Sequence, residues 1–108
     1  MKIVKCRWMP KRYAMNMFGM IWVKDPSWID ADVINHERIH SVQQRELLYL
    51  PFYLFYLIEW LIRLLYYLNW DKAYRNISFE REAYRYGHDH TYLSSRRRYA
   101  WLRFLLPF

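Results

Sequence analysis

The sequence predicts an α+β fold that is mostly α-helical, with a small N-terminal β-hairpin followed by three or four helices. Hydrophobic residues make up 55% and aromatic residues 21% of the 108 residues, and glycine occurs only twice. This composition favours long helices and argues against a glycine-rich phosphate-binding loop. The length suits one hydrophobic core, so residues 1–108 are predicted to form a single domain.

Two β-strands are predicted at the N-terminus, over residues 1–8 and 14–24. Both stretches are rich in Val, Ile, Trp and Met, and the intervening Pro-Lys-Arg at residues 10–12 favours a turn. Gly19 lies inside the second stretch, where a glycine is expected to mark a bulge or a close approach of another backbone.

A first helix is predicted over residues 29–50, because apolar residues recur there at spacings compatible with one helix face. Ser27 and Asp30 are both suitable N-caps for this helix. Residues 47–68 are then almost entirely apolar or aromatic, and their two charged residues, Glu59 and Arg63, are placed to pair across one turn.

After a turn at residues 69–71, a further helix is predicted over residues 72–86. Gly87 is a natural C-terminal stop for it. The chain contains no repeat and no low-complexity linker that would separate this part from the rest. The predicted helices are therefore expected to share one core.

The segment HERIH at residues 36–40 carries the clearest chemistry. Imidazoles at positions i and i+4 project from one helix face, so His36 and His40 can bind one metal ion. Glu37 lies beside the first histidine, where a carboxylate can act on water bound to that metal. A catalytic zinc ion usually has three protein ligands, so a third is required. Without one, the same pair fits a polar helix face that binds no metal.

HERIH followed by SVQQ resembles the zincin metallopeptidases, particularly bacterial peptidase domains with the signature HExxHxxQQ. The segment FEREAY at residues 79–84 is similar to the FExxAD segment of gluzincin-type membrane peptidases, which include the CAAX prenyl protease and its bacterial relatives. This resemblance implies a zincin-like fold in which His36, His40 and Glu80 bind Zn²⁺. It also implies that Glu37 is the catalytic general base.

The resemblance covers two motifs and their order along the chain. Ala83 matches the small residue of the second motif, whereas Tyr84 stands where the family has aspartate. The segment GMIWVK at residues 19–24 precedes the first helix. It occupies the place where zincins have the edge strand that aligns an extended substrate.

Other residues compete for roles at this site. Glu82 is an alternative third ligand, but Glu80 and Glu82 are two residues apart and cannot both point inward from one helix. His88 and His90 follow a predicted helix end and are expected to be solvated loop residues. An oxyanion donor is also needed, and His88 or Tyr92 is a candidate.

Residues 47–68 are long enough, at about 33 Å of helix, to span a bilayer core. A single crossing would place His40 and Glu80 on opposite sides of the membrane, so it is incompatible with the zinc site. A break of the helix at Pro51 would let the chain return Glu80 to the histidines. The segment is therefore interpreted as a buried core helix, a helix on the membrane surface or, without the zinc site, a spanning helix.

The net charge is +7 and the pI about 9.7, which favours an anionic membrane surface as a partner. Nucleic acid is disfavoured because the aromatic residues are concentrated in the least charged segment. We expect a zinc-dependent metallopeptidase that acts on peptide or protein substrates. The alternative is a non-catalytic metal-binding or membrane-associated interaction protein. The N-terminus lacks a cleavable signal pattern, which predicts a cytoplasmic or peripheral membrane location.

Overall fold

The N-terminal part of the chain forms a three-stranded sheet. The structure, a computed structural model, describes residues 2–9 and 13–106. Strands β1 (Lys2–Lys5), β2 (Ala14–Met17) and β3 (Met20–Val23) lie in the order β1-β3-β2. Strand β1 is parallel and β2 antiparallel to the central β3. The sequence predicts the hairpin between residues 1–8 and 14–24, but the structure forms it between β2 and β3, both within residues 14–24. Strand β1 instead pairs in parallel with β3, on the side away from β2.

The predicted second strand, residues 14–24, is two strands joined by a tight turn. Phe18 and Gly19 form the turn with φ of 55° and 81°. Two consecutive residues with positive φ match the right-handed twist of a short hairpin. Gly19 is thus a turn residue, and its prediction as a bulge is wrong. The predicted turn at residues 10–12 lies outside the described residues.

Helices dominate the rest of the described chain, so the predicted α+β, mostly helical class is confirmed. Short 3₁₀ turns precede the first helix and follow the last, at Pro26–Trp28 and Ala100–Phe104. The α-helices are α1 (Ala31–Glu46), α2 (Leu50–Tyr67), α3 (Trp70–Arg75), α4 (Ser78–Tyr86) and α5 (Tyr92–Ser95).

The first helix begins and ends by local backbone rules. Of the two predicted N-caps, Asp30 caps α1, because its Oδ1 accepts a hydrogen bond of 2.9 Å from the Val33 amide. The helical conformation is interrupted between α1 and α2 at Leu48 and Tyr49, which have φ of 58° and 65°. Pro51 follows in the first turn of α2, where its missing N–H breaks no helical bond.

The predicted helix over residues 72–86 is interrupted. Helix α3 ends at Asn76. The Asn76 backbone N–H donates to carbonyls of the last turn, and its side-chain amide donates to the Lys72 carbonyl. Helix α4 then begins at Ser78 and ends at Gly87, the predicted stop. The interruption lets α4 run in its own direction against α1.

The core lies between the C-terminal segment, α4 and one side of α2. Its central cluster comprises Phe52, Ile77, Phe79 and Trp101. Within α2, only Phe52 and Arg63 are buried, so the interpretation of this segment as a buried core helix is wrong. By length and composition α2 could cross a membrane. Only 11% of its residues are buried within the protein, whereas a core helix is mostly buried.

Side chains from two other helices cap both ends of α4. At its start, the Glu59 carboxylate of α2 accepts bonds of 2.6 Å from the Ser78 amide and hydroxyl, and it also pairs with Arg63 at 2.8 Å. At its end, the Asn35 side chain of α1 donates to three carbonyls within 3.1 Å, those of Tyr86, Gly87 and Asp89. These contacts fix α4 between α1 and α2.

We predict that Glu59→Gln destabilises the protein by about 2 kcal/mol. The change removes the negative charge that pairs with the Arg63 guanidinium, whose side chain is 1% exposed. Urea unfolding followed by tryptophan fluorescence measures the effect. Asp71→Asn is the matched control, since Asp71 and Arg75 form the same i,i+4 pair at more than half exposure and should change stability by less than about 0.5 kcal/mol. Equal effects of the two variants would contradict the prediction.

Candidate metal centre

His36 and His40 lie one turn apart on α1 and direct their side chains to one point. Their Nε2 atoms are 3.1 Å apart, and their ring centroids are 4.8 Å apart. His40 is buried and His36 is half-buried. The helical spacing of HERIH thus produces the arrangement of two converging imidazoles that it predicts.

Glu80 of α4 supplies a third donor atom. Its Oε1 lies 3.2 Å from His36 Nε2 and 3.0 Å from His40 Nε2. The three atoms therefore form a nearly equilateral triangle, hereafter the donor triangle. Ligands held at about 2.0–2.1 Å by a tetrahedral zinc ion are about 3.3 Å from one another. The sides of the donor triangle, at 3.0–3.2 Å, are close to this separation.

Gln43 fixes the orientation of His40. The His40 Nδ1–H donates to Gln43 Oε1 at 2.8 Å. Nε2 is therefore the nitrogen of His40 that forms a corner of the donor triangle. The Gln43 amide nitrogen donates in turn to the Phe79 carbonyl and to Glu82 Oε1, at 3.0 and 2.9 Å. Because both of these partners are acceptors, the orientation of the amide is determined. Such outer hydrogen bonds set the tautomer and basicity of a metal-binding histidine.

Two tyrosines support the other corners of the donor triangle. The Tyr56 hydroxyl of α2 donates to Glu80 Oε2 at 2.6 Å and so leaves Oε1 to the histidines. The Tyr84 ring packs edge-on against His36, with centroids 4.6 Å apart. At the position where the resembled family has aspartate, this chain therefore supports the histidine by aromatic packing.

The electrostatics of the donor triangle favour a positive charge at its centre. Burial by itself lowers the pKa of His40, but the Glu80 carboxylate and its hydrogen bond raise it to about 10. Burial by itself raises the pKa of Glu80, and the two imidazoles bring it far below its usual range. Burial lowers the pKa of His36. The buried Glu80 carboxylate thus stabilises one positive charge among the three donor atoms. A protonated histidine or a metal ion can carry that charge.

Glu37 is buried beside the donor triangle, and its Oε2 has no hydrogen-bond partner. Burial raises its pKa to about 7. Donor atoms of Glu37, His36 and His40 lie within 4.8 Å of one another, so these three side chains form a group that could hold a metal ion. An unpartnered carboxylate in this place is costly for folding and is typical of a functional group.

Two cavities meet at Glu37 and Tyr74. One, of about 410 Å³, is lined partly by polar and charged residues, among them Asp32, Asp71 and His88. The other, of about 450 Å³, lies between β2 and α2 and is lined mainly by apolar and aromatic residues, including Met15, Met17, Phe52, Leu57 and Trp60. Glu37 therefore faces open space on two sides of different polarity.

The edge strand beside the site is β2. The GMIWVK segment, the predicted substrate-aligning edge, contains β3, which is the central strand. The assignment is wrong, because the single long strand expected there folds back on itself at Phe18 and Gly19. Residues of β2 line both cavities, and Asn16 in β2 donates to the Glu37 carbonyl at 2.6 Å.

Glu82 is directed away from the donor triangle. Its carboxylate accepts bonds from the Tyr92 hydroxyl at 2.6 Å and from Arg96 at 2.5 Å, in addition to Gln43. Tyr92 is thereby held at Glu82, so the structure does not bring this candidate oxyanion donor to the histidines. The alternative ligand and the candidate donor are partners in a separate ionic cluster.

His88 and His90 bind one carboxylate at the protein surface. His88 Nδ1 and His90 Nε2 contact separate oxygens of Asp32, at 2.7 and 2.6 Å. Both histidines are exposed. His88 also lines the more polar cavity, so it remains near the site although it is bonded to Asp32.

No role at the site was predicted from the sequence for the residues that support the donor triangle. Gln43 and Gln44 are fully buried polar residues three and four positions after His40. Because residues at these spacings share one helix face, the positions of the two glutamines could have indicated a role beside His40. Gln44 bonds the β2 backbone and the Tyr53 hydroxyl. Tyr56 gives no comparable signal, because it is one of many aromatic residues in its segment.

The chain matches no protein-family model, and no curated protein or solved structure is significantly similar to it. The geometry and chemistry of these residues therefore carry the functional argument.

We predict that Glu37→Gln changes the pH dependence of stability of the metal-free protein. The folded-state pKa of Glu37 lies above its ordinary value of 4.5, so the stability that its proton contributes is complete below pH 4.5 and is lost as the pH rises to about 7. Glutamine cannot acquire the unpartnered charge. The variant should therefore gain stability relative to the original chain across this window, on the order of 3 kcal/mol at pH 8. Urea unfolding with a chelator present, between pH 4.5 and 8, tests this, and parallel curves would contradict it.

Proposed function

We propose that this chain is a zinc-dependent peptidase in which His36, His40 and Glu80 bind Zn²⁺ and Glu37 is the general base. The donor triangle, with sides of 3.0–3.2 Å and an unpartnered carboxylate beside it, carries the proposal. Two histidines and one glutamate are a ligand set of catalytic zinc, which keeps a further position open. The resemblance of HERIHSVQQ and FEREAY to zincins supports the same assignment.

A bound zinc ion would supply Lewis acidity, which polarises a carbonyl group and lowers the pKa of water. The chain's own residues provide the proton transfers. Glu37 has a pKa of about 7 and no competing hydrogen bond at Oε2. It can therefore take a proton from water and return it to a leaving amine near neutral pH.

Strand β2 supports a peptide as the substrate. It is a sheet edge. Its Asn16 carbonyl accepts a hydrogen bond from Gln44, and the remaining outward N–H and C=O groups of an edge strand can bond an extended chain. Because β2 lines both cavities, a peptide paired with it passes Glu37. Side chains on either side of the scissile bond would then enter the two cavities.

Tyr84 is proposed as the oxyanion donor. Its side chain is about half exposed beside His36, at the rim of the polar cavity. The Tyr84 ring also lies edge-on to Tyr74, with ring centroids 6.5 Å apart. A half-exposed phenol can donate its proton to a substrate oxygen, a role that a phenol fills in other catalytic sites.

Metal content and hydrolysis, measured on the same preparations, test the proposal. We predict one zinc per chain by mass spectrometry, lost in His36→Ala and Glu80→Ala and retained in His90→Ala, the matched surface histidine. Glu37→Gln should retain zinc but lose hydrolysis of a fluorogenic peptide library by at least about 10²-fold. Full activity of zinc-loaded Glu37→Gln would contradict the mechanism. Zinc binding without turnover of any peptide would instead favour the non-catalytic metal-binding protein.

We predict that Tyr56→Phe weakens zinc binding by about tenfold, because it removes the hydrogen bond that orients Glu80. Tyr53→Phe is the matched control: Tyr53 lies on the same helix, and its hydroxyl donates to Gln44 rather than to Glu80. Chelator competition measures both affinities. If the two variants bind zinc equally, the Tyr56 hydroxyl does not act on the site.

A further inference from the structure

Helix α2 has an uncovered apolar side that the peptidase proposal does not use. Five aliphatic side chains on it, together with Leu68 directly after its end, are hereafter the outward face of α2. They recur at spacings of three or four residues and are 44–82% exposed: Leu50, Leu54, Ile58, Leu61, Leu65 and Leu68. The two charged residues of α2, Glu59 and Arg63, pair with each other and bind α4 and the C-terminal segment. Scattered apolar side chains are normal on a protein surface, but a continuous apolar stripe marks a binding surface.

The surface charge indicates what binds there. Among the described residues, twelve lysines and arginines but only four aspartates and glutamates are exposed. Glu37, Glu80 and Glu82 are buried, so the surface is more cationic than the composition alone suggests. Two copies of this chain would repel each other, whereas a surface of anionic lipid attracts the excess of lysine and arginine.

The C-terminal end of the outward face carries the residue types found at lipid headgroups. Tyr66 and Trp70 are 64% and 69% exposed. Lys72 follows directly and places its ammonium group 4.9 Å from the centre of the Tyr67 ring. Tyrosine and tryptophan prefer the boundary between acyl chains and water, and lysine reaches the headgroups from there.

Contacts along the opposite side of α2 decide its orientation. Phe52 near the start, Tyr56 in the middle and Arg63 near the end all contact other parts of the protein. Helices α1 and α4, which lie before and after α2 in the chain, also meet through His40 and Glu80. If α2 crossed a bilayer, the charged groups packed along it would enter the hydrocarbon, which is costly. A helix covered on one side by protein can instead lie in the membrane plane.

We propose that the outward face of α2 is a membrane-binding surface that lies parallel to an anionic bilayer, at the boundary of headgroups and acyl chains. Lys72, which directly follows the outward face, reaches the anionic headgroups. An amphipathic helix in this position is buried by about 5–10 Å. This proposal does not depend on zinc or on hydrolysis, because it uses none of the metal-site side chains as a lipid contact.

Vesicle sedimentation tests binding. The full chain should bind vesicles of phosphatidylcholine with about 30% phosphatidylglycerol and lose affinity as salt rises from about 0.05 to 0.5 M. The double variant Leu61→Gln, Leu65→Gln should bind about tenfold more weakly or worse, whereas Leu61→Met, Leu65→Met should bind like the original. Equal binding by all three proteins would overturn the proposal. A dimer in lipid-free buffer that the glutamine variant dissociates, with no vesicle binding, would assign the face to a second copy.

Depth measurements test the orientation without relying on the stability of those variants. In a Cys6→Ser background, single Leu50→Cys, Leu61→Cys and Leu68→Cys proteins carry a fluorophore quenched by lipids labelled at known depths. An in-plane helix places all three labels at similar, shallow depth. A spanning helix places the Leu61→Cys label near the bilayer centre and the other two near opposite surfaces, and that result would overturn the proposal.

Discussion

The capping of α4 from both ends is the constraint on which the site depends. Helix α4 has nine residues and no side-chain N-cap of its own, and helices of this length are marginal without tertiary contacts. Glu59 from α2 bonds its first turn, and Asn35 from α1 bonds the carbonyls at its end. Asn35 directly precedes His36 in the chain. The contact that fixes the end of α4 therefore lies beside the imidazole that Glu80 has to meet.

A second buried ionic cluster connects the site to the C-terminal part of the described chain. Arg96 bridges Glu82 of α4 and Glu46 at the end of α1, with bonds of 2.5–3.1 Å. Glu82 also accepts from Gln43, the residue that orients His40. Removing one partner from such a cluster leaves a buried charge uncompensated. Glu80 and Glu82 thus have separate functions: Glu80 faces the donor triangle, and Glu82 joins the helices that carry it.

Local sequence patterns predicted the parts of the site that lie on one helix. The i,i+4 spacing of His36 and His40 follows from helix geometry alone, as does the pairing of Glu59 with Arg63. Asp30 caps α1 by the same local rules. Gly87 does not, because its φ of −60° is right-handed; a Cβ at this position would instead lie 3.5 Å from the His36 Cβ of α1. The register of Glu80 came from the resemblance of FEREAY to a known motif, and the structure places its carboxylate against both histidines.

The remaining features depend on contacts between distant segments, which periodicity does not encode. The pairing of β1 with β3 and the edge position of β2 are long-range, and the break before α4 reflects the Glu59 cap as well as Asn76. Composition also failed to predict the exposure of α2, because an apolar helix in a core and one on a lipid surface have the same residues. Only the positions of its neighbours distinguish the two.

The two cavities that meet at Glu37 differ in polarity. This difference favours one orientation of an extended ligand that lies along β2 and enters both cavities, hereafter the groove. An extended ligand that passes Glu37 has one end beside Asp32 and Asp71 and the other beside Phe52 and Trp60. Reversing the ligand would exchange these surroundings and would leave charged groups facing aromatic rings. A peptide bound along β2, as proposed, would therefore be discriminated by the order of its residues as well as by their identity.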